Sequence, residues 1–138
     1  MRISLPVLAV VLAMSLGGAA AASGQDGWTI PAGAADEKSP LKSPDDAARK
    51  GKSLFGKRCQ HCHGALGRGD GPDADPSYMS DMDLTSLDNP DGVIFYKVWN
   101  GRKQPKMPAF KSELTRDEVW QLVAYVQSLS KKGGIIHN

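Results

Sequence analysis

CQHCH, residues 59–63, holds both cysteines of a 138-residue chain and two of its three histidines. Two thiols three positions apart with an adjacent imidazole admit three chemistries. A thioredoxin-like dithiol belongs to a βαβ pattern, and no such pattern surrounds this stretch. A zinc site built from Cys59, Cys62 and His63 wants a fourth ligand to close it, and His137 lies beyond two glycines at the tail. The third chemistry is covalent haem attachment, for which C-x-x-C-H is the pattern: Cys59 and Cys62 add to the vinyl groups as thioethers and His63 reaches the iron. A purely structural disulfide explains little, because a bridge across three positions closes a very small loop. His61, inside the motif, reads as a surface residue.

The flanking sequence is helical. SPDDAARKGKSLFGKRC (43–59) offers Ser43 as N-cap, Pro44 at the first helical position, and Asp45 and Asp46 near the positive end of the dipole. Ala47, Gly51, Leu54 and Phe55 fall on one face. A mid-helix glycine costs ~1 kcal/mol relative to alanine, so Gly51 calls for a helix crossing very close. LTRDEVWQLVAYVQSLSKKGG (114–134) supplies the partner: a Thr115/Glu118 capping box, then Val119, Leu122, Val123 and Val126 at helical spacing. Lys131, Lys132 and Gly133 read as its end. NPDGVIFYKVWNGRK (89–103) is compatible with a strand or a helix, and its Asn-Pro start and Asn-Gly stop favour the helix.

HGALGRGDGPDADPSYMSDMDLTSL (63–87) carries too many Gly, Pro and Asp for regular structure. Loops of ~20 residues are uncommon in a compact domain unless something organises them. A haem would supply both the organiser and an apolar core. It would also require a second axial ligand, and a Met/His pair raises the potential. Met107 in KMPAF (106–110) sits in a proline-bordered loop between two predicted helices. Met79 and Met82 are the competing sulfurs.

At the N-terminus, Met1 and Arg2 precede an apolar run and then GGAAAASG, the pattern of a secretory signal peptide over residues 1–22, cleaved near Ala20 to Ala22. The run is shorter than the ~20 residues needed to span a bilayer; an uncleaved anchor is the competing expectation. Cleavage removes only Arg2 among the charges and takes the formal net charge from +2 to +1, too little for bulk nucleic-acid binding. Residues 23–42, rich in Gly, Pro, Ala and Ser, read as a flexible arm, with Trp28, Ile30 and Leu41 packing loosely on the domain. The domain proper is expected over 43–132 and a tail over 133–138. Seven aspartates and no basic residue lie between Gly69 and Gly92, whereas six basic residues lie from Lys97 to Arg116. That asymmetry suggests a polar molecule that docks through its basic side.

GKSLFGKRCQHCHG, GDGP, NGRKQPKMPAF and LVAYV together resemble class I cytochrome c, the small bacterial mono-haem type, over roughly residues 43–132. The resemblance implies an all-α fold of three to five helices and long loops around one covalent haem c. It pairs Gly51 and Phe55 on the first helix with Leu122 and Tyr125 on the last. It implies His63 and Met107 as axial ligands, and the Pro72 carbonyl as acceptor for the His63 Nδ1–H. Trp99 and Tyr78 are candidates for the haem edge or propionates, with plain core packing as the alternative.

With both axial positions filled, the iron has no site open to substrate. The expected function is outer-sphere electron transfer in the periplasm between redox protein partners, with no enzymatic activity of its own. Alternatives are a haem subunit of a periplasmic oxidoreductase complex, in which the arm wraps the larger partner, or a small haem peroxidase or gas sensor. Lys97, Arg102, Lys103, Lys106 and Lys111 are the candidate docking residues on a face that would meet an acidic partner.

Overall fold

The computed structural model describes residues 27–130, with the backbone of Ala22 and Ser23. Residues 1–21, which hold all but the last position of the expected signal peptide and include Met14, lie outside the described residues, as do Lys131, Lys132 and the tail with His137. Among those described, the elements are a small strand pair, β1 (Ala22–Ser23) antiparallel to β2 (Thr29–Ile30), and five helices. The helices are α1 (Pro44–Arg58), α2 (Gln60–His63), α3 (Met79–Met82), α4 (Asp91–Asn100) and α5 (Arg116–Leu129). The architecture is all-α, as expected.

Local chemistry accounts for the helix ends. The Ser43 hydroxyl accepts from the Asp46 amide at 3.4 Å, and Pro44 opens α1. At α5 the capping box is complete: Thr115 Oγ1 accepts from the Glu118 amide, and the Glu118 carboxylate accepts from the Thr115 amide at 2.8 Å. The stretch that could have been a strand is α4, bracketed by Pro90 and Gly101.

α1 packs along α5, and the contact is closest at Gly51. A Cβ there would overlap the Gln121 carbonyl oxygen and press on the Tyr125 side chain. One turn on, Phe55 meets Tyr125 edge to face at 5.1 Å between ring centroids. α4 packs on the opposite flank of α5, with Phe95 stacked on Trp120 at 4.5 Å and on Trp99 at 5.6 Å. Phe55, Phe95, Trp120, Leu122, Val119 and Val123 are the most fully buried side chains of this core.

Part of the expected arm is held on the domain: β2 and a 3-10 turn at Ala34–Asp36 lie against α4. Ala34 is buried, and its carbonyl sits so close to Gly92 that a Cβ there would overlap it. Glu37 pairs with Arg116 at 2.8 Å, and the Trp28 ring lies 4.4 Å from the Arg102 guanidinium carbon. A composition rich in Gly, Pro and Ala has no helical period to betray such packing; small residues instead permit close approach. The loop after His63 also holds some order, a 3-10 turn at Pro76–Tyr78 that runs into α3.

Gly51→Ala should destabilise the protein by about 1–3 kcal/mol, because backbone at the crossing has no room to move aside; a denaturant melt would measure it. Hydrogen bonds from Thr115 hold the Glu118 carboxyl below its ordinary value of 4.5. A depressed carboxyl contributes stability above that value and loses it as pH falls through the lowered one. The difference in melting temperature between the native protein and Glu118→Ala should therefore be present at pH 7 and shrink as pH falls below 4.5.

Candidate functional site

The C-terminal end of α1 runs directly into CQHCH. Arg58 is its last residue, Cys59 caps it, and α2 carries His61, Cys62 and His63. The helix that Gly51 docks against α5 therefore aims both thiols and His63 at one place. There the protein opens a cavity of about 390 Å³, lined by Cys59, Cys62, His63 and Met107 together. Its walls are largely apolar, with Phe55 from α1, Ile94 and Val98 from α4, Leu122 and Val126 from α5, and Leu84 from the intervening loop. This volume and lining suit a cofactor of small-molecule size.

The thiols and the ring discriminate among the three chemistries. Burial, with Cys62 beside it, pushes the Cys59 thiol up to about 12 against the pull of Arg58. A thiol so raised is a poor nucleophile, unlike the lowered attacking thiol of a redox pair. Among the described residues, no group of three or more His, Cys, Asp and Glu side chains is gathered where it could hold a metal ion. His63 Nδ1 lies 2.8 Å from the Met82 carbonyl oxygen. Since a carbonyl only accepts, Nδ1 carries the proton and Nε2 keeps its lone pair. Burial outweighs that hydrogen bond and holds the ring below its ordinary value of 6.5, neutral at pH 7. Two half-buried free thiols, a neutral imidazole with Nε2 available, and a thioether around a largely apolar cavity fit a covalently attached haem.

The acceptor for His63 is a correction: Met82 fills the role expected of Pro72. Pro72 is exposed and does not line the cavity; its neighbour Asp73 instead donates its amide to the His61 carbonyl. The chain reaches His63 with the carbonyl at 82, at the end of α3, because the 63–87 loop folds back there. The Leu84 amide bonds the Gly67 carbonyl at 2.7 Å. Met79 is 53% exposed and off the cavity, whereas Met82 lines it.

Met107 is held by a narrow turn. The Arg102 amide bonds the Met107 carbonyl and the Met107 amide bonds the Arg102 carbonyl, each at 2.9 Å. The turn is pinned to the end of α4 through Phe110 N to Val98 O at 3.2 Å, and Gly101, at φ +60°, passes so near the Met107 carbonyl that only glycine fits. Trp99 and Tyr78 do not line the cavity. Trp99 packs on Phe95 under Arg116, and the Tyr78 hydroxyl accepts from Gln104 Nε2 at 3.1 Å. Sequence reasoning missed Trp28, which does line the cavity. Arg102 departs from its expected docking role: its side chain is only 5% exposed and pairs with Asp81. Lys97 also faces the cavity, 5.2 Å from the Trp28 ring. Lys103, Lys106 and Lys111 are exposed.

Because the acceptor is a backbone carbonyl at 82, Pro72→Ala should leave the His63 Nδ1 proton bonded. Its slowly exchanging NMR resonance should persist in that variant with an unchanged chemical shift.

No helix among the described residues is long and apolar enough to cross a membrane. Comparison with curated proteins finds no match. Among solved structures, the chain is similar to one from the reducing HAO-like protein complex of Kuenenia stuttgartiensis, at 27% identity and a TM-score of 0.54, covering 67% of this chain and 48% of that one. It is also similar to cytochrome CL of the marine methylotroph Methylophaga aminisulfidivorans, at 24% identity and a TM-score of 0.47, covering 72% and 58%. The chain thus spans about half the length of the structures it matches. The family model described as cytochrome c oxidase, cbb3-type, subunit III matches residues 46–126, more than half of the chain and every element from α1 to α5. The chain belongs to that family and is a class I-like c-type cytochrome.

Proposed function

We propose that this protein is a periplasmic electron carrier that holds one c-type haem and passes one electron at a time between redox partners. The observation that carries the reading is the convergence of Cys59, Cys62, His63 and Met107 on one apolar-walled cavity. When bound, the haem supplies a reversible one-electron iron couple. Cys59 and Cys62 would hold it as thioethers. His63 would present Nε2 to the iron, its ring oriented by the Met82 carbonyl. Met107 would present its sulfur from the turn that Arg102 closes. With His63 and Met107 both bound, the iron would have no position left for substrate, which favours outer-sphere transfer over catalysis. Phe55, Leu84, Ile94 and Val98 would set an apolar wall against the haem, and a lower local dielectric favours the less charged state of the couple.

A second reading, a haem subunit of a larger oxidoreductase, draws on the matched family's own description as an oxidase subunit and on the complex from which one similar structure comes. In either case the exposed Lys103, Lys106 and Lys111 suit an acidic partner surface, and a field of this kind mainly speeds and orients encounter. Whether the exported protein elutes alone or with a larger chain separates the two readings.

A pyridine haemochrome spectrum of the exported protein should show thioether-linked haem, and Cys59→Ala with Cys62→Ala should abolish it. The absence of that spectrum from the native protein would end the proposal. Met107→His should keep a low-spin haem and lower its reduction potential, because imidazole stabilises the oxidised iron better than a thioether; redox titration reads the shift.

A further inference from the structure

Arg102 is built into the protein unlike any neighbouring cation. Its backbone forms both hydrogen bonds that close the turn onto Met107, each at 2.9 Å. Its Nε donates to the Pro105 carbonyl at 3.1 Å, inside the same turn. Its Nη2 lies 3.4 Å from Asp81 Oδ2, and Trp28 covers the guanidinium at 4.4 Å. The side chain is 5% exposed although it is charged. Burying a charge is costly unless it is paired and hydrogen-bonded, so a guanidinium placed there must be held by all these contacts at once. Planar, with a fork of donors and a face for an aromatic ring, Arg can make them together where Lys cannot.

The position of Asp81 gives this arrangement its meaning. Asp81 directly precedes Met82, whose carbonyl orients the His63 ring. The Asp81–Arg102 ion pair therefore spans the gap between two loops, one bearing the acceptor for His63 and the other bearing Met107. A second tie lies beside it, from Gln104 Nε2 to the Tyr78 hydroxyl at 3.1 Å. Trp28 joins from the N-terminal segment, so three separate stretches of chain meet on one guanidinium.

We propose that Arg102 is the positioning residue for Met107, and that the Asp81–Arg102 pair under Trp28 is a clamp coupling the loop that orients His63 to the loop that bears Met107. This rests on the reading of Met107 as an iron ligand. The clamp keeps the sulfur where the iron needs it and makes spontaneous opening of the Met107 loop rare. A ligand that competes for that position then sees only the small fraction of open protein, and its apparent affinity falls by that fraction.

The test uses the haem-loaded protein, reduced, with carbon monoxide as the probe. Asp81→Asn keeps the shape and removes the charge. It should raise carbon monoxide affinity about tenfold, the change expected from losing one charge-assisted contact, while the covalent haem and a cooperative melt persist. Asp81→Glu, which retains the charge, should restore most of the native affinity. Trp28→Leu and Gln104→Ala should shift affinity in the same direction as Asp81→Asn, and they serve alone if that variant does not fold. Met107→Ala is measured alongside and should bind carbon monoxide freely. If it does, and the clamp variants keep native affinity, the clamp is overturned and the ligand assignment stands. If Met107→Ala itself leaves the spectrum and carbon monoxide binding unchanged, Met107 is not the ligand and the positioning role falls with it.

Discussion

The approach of α1 to α5 at Gly51 is the constraint on which the rest depends. Without a side chain at 51, the α1 backbone comes against the Gln121 carbonyl, and Phe55 falls against Tyr125 one turn later. Helix packing of this kind fixes both the angle and the register of the two elements. Since CQHCH follows α1 without a break, the register of the crossing is also the register of the thiols and His63. The same faces continue into the cavity: Phe55 from one helix and Leu122 and Val126 from the other are core and cofactor wall at once. Phe55 lies 6.4 Å from the His63 ring, between the crossing and the site.

The opposite wall is made of loops, which need other means of support. The stretch after His63 is steadied by backbone bonds that return it on itself, Gly69 N to His63 O and Leu84 N to Gly67 O among them. The Met107 turn is steadied by its reciprocal bonds with Arg102 and by its attachment to α4. Side chains then join one loop to the other across the mouth of the cavity. A haem bonded on both sides would add its binding energy to this frame, and in such a protein cofactor energy and folding energy are inseparable. That explains how a small helical domain tolerates so much chain outside its helices.

Charge is distributed less simply than a count of basic residues implies. Of the five cations expected on one docking face, Arg102 is turned inward to pair with Asp81, and Lys97 bonds Asn89 and lies near Trp28. Those two act within the molecule. Of the five, Lys103, Lys106 and Lys111 remain outward around the Met107 turn. Removing a solvated lysine changes encounter, whereas removing a buried guanidinium leaves its partners unpaired.

What the sequence determined by itself is everything governed by short-range pattern. Three helices, the N-caps at Ser43 and Thr115, and the glycine at the crossing of the first and last are legible, because caps and periodicity act over one or two turns, although α5 ends at Leu129 rather than at Lys131–Gly133. CQHCH narrows the chemistry in the same way, since two cysteines and a histidine at fixed spacing leave few alternatives. The tertiary structure alone decided which backbone carbonyl meets His63, because every residue carries one and no side chain advertises it. Met82 rather than Pro72 holds that place through the path of the 63–87 loop. Tertiary contact also decided that β2 and the turn at Ala34–Asp36 pack against α4 and that Arg102 faces inward. In both cases the partners lie far away in the chain, and neither composition nor charge records where a side chain will be buried.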